Sequence, residues 1–239
     1  MKAQTPTSLM NHSLASPSSV ANVMYQKYVN SVPLYRQEKD WENLGLSLKR
    51  ATMAHWIIRC AQDYSTPVIK HLKKELAGRE VLHCDETPVQ VLKEKWKKPQ
   101  SKSYMWLYRT GSDDKHLIVL YDYQPSRSGD HAVEFLKGFH GYLHTDGYSG
   151  YNKPGNITRC GCWAHLRWKN RLFSDTPKGV SASASVYSII ETAKANSLNV
   201  YTYLEYLLLY MPDTDWQNHP EDLDDLMPWL ETVQAECKA

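Results

Sequence analysis

The sequence predicts an α/β protein: a mixed sheet carrying helices, preceded by a helical subdomain and followed by a helical C-terminal segment. Two observations predict it. Between residues 80 and about 163, short runs rich in β-branched and aromatic residues alternate with turn residues and one amphipathic stretch. On either side the apolar spacing returns to the three-to-four-residue period of helices. The chain has 239 residues, 42% of them hydrophobic, with 11 Gly and 12 Pro, which suits a globular protein with a sizeable core.

The elements follow in order. Residues 1–16 read as a flexible lead-in. Ser16-Pro17 supplies an N-cap and a proline at the first helical position. Val20, Val23, Met24 and Tyr28 then recur at helical spacing. Pro33 opens a second helix to about Leu44, residues 49–62 read as a third, and Pro67 starts a fourth that stops near Gly78. Residues 17–79 are thus expected as a helical subdomain. From Glu80 to Leu92 the pattern becomes strand-like. Tyr104–Arg109 and Leu117–Tyr123 are two further strands, joined by the turn Gly111-Ser112-Asp113-Asp114. A helix is expected over His131–Phe139, a strand over Tyr142–Asp146, and another over Ile157–Trp163. Three leading strands with tight connections should be antiparallel, and the later ones, alternating with helices, parallel. Residues 80–170 are expected to form this core. Residues 171–239 should be helical, with helices over Ser183–Ala195 and Tyr201–Tyr210 and an acidic turn before Pro228.

Composition narrows the function classes. No stretch of eighteen apolar residues exists to span a bilayer, and Met1–Ser19 has no apolar signal region. Five cysteines, Cys60, Cys84, Cys160, Cys162 and Cys237, form no CxxC pair, which argues for a reducing, cytoplasmic setting. Cys160, Cys162 and His165 admit a zinc-site reading, but no matching second half exists; buried strand thiols are the plainer account. Net charge is +2, unevenly spread. From Met211 onward eight acidic residues face one lysine, and the rest holds 27 basic residues against 18 acidic ones. A basic body suits a polyanionic partner.

Two carboxylates stand out. Asp85 lies within an apolar strand, in His83-Cys84-Asp85-Glu86-Thr87. Asp146 ends another, in His144-Thr145-Asp146-Gly147-Tyr148. A carboxylate among apolar strand residues is costly unless compensated. Two on adjacent strands can share Mg²⁺ or Mn²⁺, which favour oxygen ligands and substrate phosphates, and a pair of such ions supports phosphodiester cleavage. The plainer reading makes both aspartates strand caps or turn formers.

His83–Leu92 resembles the first catalytic strand of transposases of insertion-sequence family sixty-six, and Leu143–Tyr151 resembles the second. Ser103–Tyr108, Tyr121–Tyr123 and Arg159–His165 are similar to the neighbouring strands. Ala15–Glu38 resembles the helical lead-in, and Leu172–Gly179 with the stretch to Leu208 the C-terminal part. The resemblance implies a ribonuclease H-like mixed five-stranded sheet and a DDE-type enzyme. Such an enzyme uses two Mg²⁺ or Mn²⁺ to cleave and join DNA at element ends, with Asp85 and Asp146 as its first two acids. It also implies two departures. Met1 stands just before the catalytic region, without the family's DNA- and zinc-binding lead. Trp163-Ala164-His165 runs almost directly into Lys169–Phe173, where the family carries a long helical stretch bearing the catalytic Glu.

Glu191, on the helix after that junction, is the best spare acid; a solvent-facing helix residue is the plainer reading. Glu86, beside Asp85, should point to the opposite face. Lys95, Lys97 and Lys98 in a basic hairpin, and Arg159, Arg167 and Lys169 near the site, are candidate DNA contacts. His144 and His165 are candidates to stand beside the metals, with structural hydrogen bonding the alternative. Tyr148 and Tyr151 read as packing residues. The expected partners are DNA, further copies of the chain and full-length transposase, in the bacterial cytoplasm at the nucleoid. With two acids alone, activity should fall by orders of magnitude. The competing expectation is a non-catalytic remnant that binds DNA or transposase and inhibits.

Overall fold

The computed structural model describes residues 7–95, 97–161 and 173–239, with backbone alone for Phe173 and Ser174. The chain forms two compact units, one of residues 1–68 with 196–239 and one of residues 69–195.

The first unit is helical. Its leading helix, α1 (Pro17–Tyr28), starts where expected: Ser16 caps it and Ser19 returns the bond, closing a capping box. Val20, Val23 and Met24 are wholly buried. Helix α2 (Leu34–Asn43) follows Pro33. The Gln37 amide, buried, donates to the Val23 and Val32 carbonyls and ties α2 to the end of α1. Helix α3 (Arg50–Cys60) does not stop before α4 (Thr66–Ala77); a single π turn over Ala61–Ser65 joins them. The expected fresh start at Pro67 is thereby corrected. Proline removes one helical N–H, and the wide turn absorbs the gap. The Thr66 amide and hydroxyl both reach the Ala61 carbonyl, the hydroxyl at 2.8 Å. Later in the chain, α7 (Val200–Tyr210) packs on α1. Pro220–Leu226 forms the expected acidic turn as a 3₁₀ helix, and α8 (Glu231–Glu236) follows.

The second unit holds the sheet. Its strands are β1 (Val81–Val91), β2 (Lys102–Thr110), β3 (Val119–Gln124), β4 (Tyr142–Thr145) and β5 (Thr158–Gly161), in the order β3-β2-β1-β4-β5. The first three pair antiparallel, and β4 pairs parallel with β1 and β5. This is the mixed ribonuclease H-like plan the sequence predicts. A short strand not foreseen, β6 (Phe173–Ser174), joins β1 in parallel at Gln90–Val91, beyond the point where β4 leaves it. Between β3 and β4, α5 (Gly129–Phe135) begins at a Ser128 cap and ends four residues before the expected Phe139. Gly138 takes a left-handed φ of +90° just past it, a conformation that glycine adopts freely and that ends helices.

Strand alternation assigns the two faces. Leu82, Cys84 and Glu86 of β1 point to one, with Trp106 and Tyr108 of β2; there the Tyr108 ring stacks on Phe135 of α5 at 3.6 Å. His83, Asp85 and Val89 point to the other, where Val89, Val91 and Met105 pack on Val180 and Ala184 of α6 (Pro177–Ala195). This helix starts six residues earlier than expected, with Pro177 at its first position. It runs along the outer strand β3, where Ser188 and Thr192 hydroxyls accept the Tyr121 and Val119 amides at 2.8 and 3.0 Å. No helix among the described residues is long and apolar enough to cross a membrane.

Candidate active site

The β1–β4 pairing brings together the strands that lead to the two aspartates. Leu82 lies opposite Leu143, and His83 opposite His144. Carried two residues on, the register sets Asp85, in the middle of β1, level with Asp146, one residue past the end of β4. In a parallel pair, register partners share a face, and the His83 and His144 rings do, stacking at 4.8 Å with 22° between their planes. The His83 pKa is pushed below the ordinary imidazole value by burial, then by His144 and Arg109. His144, two residues before Asp146, thus packs on a second imidazole. The Asp85 carboxylate accepts the Glu86 amide at 2.9 Å, and Asp146 Oδ1 accepts the Tyr148 amide at 2.9 Å. Beside Asp146, Gly147 has open space where a Cβ would stand.

The structure adds a third carboxylate at this end of the sheet. Glu86 does point away from Asp85, as alternation requires, and its side chain has no exposed surface. Arg127, in the loop before α5, brings Nε to Glu86 Oε1 at 2.7 Å and lays Nη2 on the same oxygen. The Tyr151 hydroxyl donates to Glu86 Oε2 at 2.6 Å. Burial raises the Glu86 pKa, opposed by the bonds from Tyr151 and Arg127. Arg127 Nη2 also lies 3.9 Å from Asp146 Oδ2, so one guanidinium spans both acids. Its plane stands 4.2 Å over the Tyr148 ring, whose hydroxyl donates to the Arg127 carbonyl. Tyr148 and Tyr151 therefore hold the acid–arginine pair as well as pack. Sequence reasoning missed Arg127. The available signal was Glu86 itself, an acid in the core-facing register of Leu82 and Cys84, which must find a cation or a donor there.

A 3₁₀ turn over Ser149–Asn152 delivers Tyr151. It meets the start of α5 backbone to backbone: a Cβ on Gly129 would lie 2.3 Å from the Gly150 carbonyl oxygen. This contact fixes the loop carrying Arg127 against the loop carrying Asp146.

The candidate DNA contacts divide. Arg159, on β5, spends its guanidinium internally: Nε donates to the Thr145 hydroxyl at 2.9 Å, Nη2 to the Asp146 carbonyl and Nη1 to the Asn152 side chain. It braces the loop after β4. Lys97 is also engaged, donating to Ser103 at 3.0 Å and to the Pro125 carbonyl, with Glu94 at 3.4 Å. Lys95 and Lys98 are exposed. Arg167, Lys169, Cys162 and His165 lie outside the described residues, as does the Trp163–Leu172 junction, so both the zinc reading and that junction fall there.

Glu191 stands on α6, over the same sheet face as Asp85. It lies beside Tyr121 of β3 and is bonded to Lys194 at 2.8 Å. The row Asp85–Leu107–Tyr121 puts β2 between it and Asp85, with β3 about 10 Å from β1 at ordinary strand spacing. Among the described residues no group of three His, Cys, Asp or Glu side chains is placed to hold a metal ion. The two aspartates supply carboxylate oxygens, the donor type that Mg²⁺ and Mn²⁺ favour.

Comparison with known proteins bears on this geometry. A family model described as the transposase IS66 family matches residues 12–201, and one described as the IS66 C-terminal element matches residues 188–229. The chain is similar to the uncharacterized protein y4qI of Sinorhizobium fredii, 31% identical over 202 residues, covering 77% of this chain and 36% of that protein. It is also similar to the uncharacterized protein y4jD of the same organism, 27% identical, covering 80% of this chain and 39% of that protein. The chain thus spans well under half the length of these relatives. No solved structure matches.

Proposed function

Because the chain belongs to the transposase IS66 family, we propose that it acts on DNA by metal-dependent strand cleavage and transfer of the DDE type, with Asp85 and Asp146 as the ion-holding acids. The β1–β4 register supports this reading: continued two residues past the His83–His144 pair, it would bring Asp85 and Asp146 level.

Asp85 and Asp146 would hold Mg²⁺ or Mn²⁺ through carboxylate oxygens. When bound, such an ion polarises the scissile phosphate and lowers the pKa of the attacking water or 3′-hydroxyl. The chain's own groups prepare the site. The Tyr148 and Glu86 amides orient the two carboxylates, and Arg159 fixes the Asp146 backbone. Arg127 places positive charge next to Asp146, where a phosphate approaches.

Two acids suit one ion better than two, so cleavage by this chain is expected to be weak. In this arrangement Glu191 is ion-paired with Lys194 on its own helix, and β2 lies between Asp85 and the β3 residue beside Glu191, so Glu191 is not relied on to complete the set. Incubating the purified chain with element-end DNA and Mn²⁺ tests the reading. Slow nicking, lost in Asp85→Ala and in Asp146→Ala, supports it; nicking that survives both substitutions overturns the assignment of these acids.

A second reading takes support from the missing third ligand among the described residues. Here the chain binds DNA, further copies of itself or full-length transposase without cutting, and inhibits. DNA binding that persists in Asp85→Ala, with no metal-dependent nicking by the parent chain, favours it.

A further inference from the structure

The Arg127 guanidinium is held on one side and open on the other. Nε and Nη2 are committed to Glu86, whose side chain is wholly buried, while the Arg127 side chain keeps 44% of its surface exposed. Nη1 makes no hydrogen bond or ion pair among the described residues. The plane is fixed from below by the Tyr148 ring, and the backbone by the Tyr148 hydroxyl. A side chain serving only to neutralise Glu86 needs neither this stacking nor this exposure.

Position matters as much as orientation. Nη2 lies 3.9 Å from Asp146 Oδ2, so the open edge faces outward beside a carboxylate read above as an ion ligand. A preorganised guanidinium loses little rotamer freedom on binding, and its planar donor edge matches the oxygens of a phosphodiester. Glu86, Asp146 and Arg127 together carry one excess negative charge, which leaves room for a cation at Asp146.

We infer that Arg127 is a backbone-phosphate contact at the rim of the site, with Glu86 and Tyr148 as the residues that aim it. The ligand class is a nucleic-acid phosphodiester. This rests on the reading that the chain works on DNA. It goes beyond that reading by assigning the contact to a residue outside the aspartate pair and outside the lysine hairpin.

The test is metal-free, so it does not depend on cleavage. Binding of a labelled mixed-sequence DNA duplex to the full chain is measured by fluorescence anisotropy in EDTA, from about 50 to about 200 mM salt. Loss of one phosphate contact lowers the slope of log affinity against log salt by about one, and weakens binding alike for all sequences. Arg127→Gln alone leaves Glu86 buried without its cation and risks misfolding. The paired change Arg127→Gln with Glu86→Gln keeps an amide hydrogen bond in its place, and thermal melts check its fold. The double variant is expected to lose about one unit of slope, and Arg127→Lys to keep it. A folded double variant with the parental slope overturns this inference alone. A parent chain that binds no DNA at low salt overturns it together with the reading beneath it.

Discussion

Glu86 shows what a sheet does with an acid it cannot expose. The side chain has no accessible surface, yet two donors, Arg127 and Tyr151, answer its oxygens. Burial still dominates, and the folded carboxyl holds its proton to higher pH than the ordinary 4.5. The consequence has a definite sign. Folding favours the protonated form, so the contribution to stability is complete below about pH 4.5 and is lost as pH rises through the raised folded value. Glutamine has no proton to lose. Denaturant unfolding across this window should therefore show Glu86→Gln gaining on the parent as pH rises, with the two profiles parallel above it. Identical profiles throughout would mean that Glu86 titrates as it does in the unfolded chain.

At the scale of elements, the outermost strand has its N–H groups answered by a helix. β3 receives Ser188 and Thr192 of α6 at alternate amides. Each hydroxyl satisfies a donor that would otherwise be unpaired, a loss of about 1–3 kcal/mol when one buried partner is removed. Ser188→Ala is expected to lower stability by roughly 1 kcal/mol and to speed hydrogen exchange at the Tyr121 amide before that at β1 amides. Uniform acceleration would show that the bond is not local to the edge. Much of this layer was legible in the chain. Ser16-Pro17 marked α1, the Gly111–Asp114 turn marked the β2–β3 hairpin, and the change of period near Glu80 marked β1. The rest was hidden for identifiable reasons. A π turn across Pro67 has no sequence signature, because the bond it makes skips one residue in a helix that otherwise continues. Hydroxyls at 188 and 192 look like ordinary helix residues until a strand edge lies beside them. At the candidate site, Asp85 and Asp146 stood out as strand carboxylates, and the family resemblance named them as candidate acids. Arg127 did not stand out, because its partner is 41 residues away in sequence and loop arginines ordinarily face water.

Across the whole molecule, charge follows the division into units. The sheet-bearing residues 69–195 hold 20 Lys and Arg against 13 Asp and Glu, a surplus of seven, while the remaining residues hold 8 against 13, a deficit of five. A polyanion should therefore meet the sheet unit first. Lysine acetylation read by mass spectrometry, with and without duplex DNA, checks this. Protection is expected at Lys95 and Lys98 and not at Lys238; the reverse pattern would place the partner on the helical unit.

The hydroxyl-capped rim of β3 has one more effect. Extended peptides recruit one another by copying an unanswered ladder of amides, and β3 has already spent two of its own on a neighbouring helix. Assembly of several copies through this margin would first have to peel α6 away. A multimer joined at this edge would then have to be stitched together by side chains or by the nucleic acid its copies share.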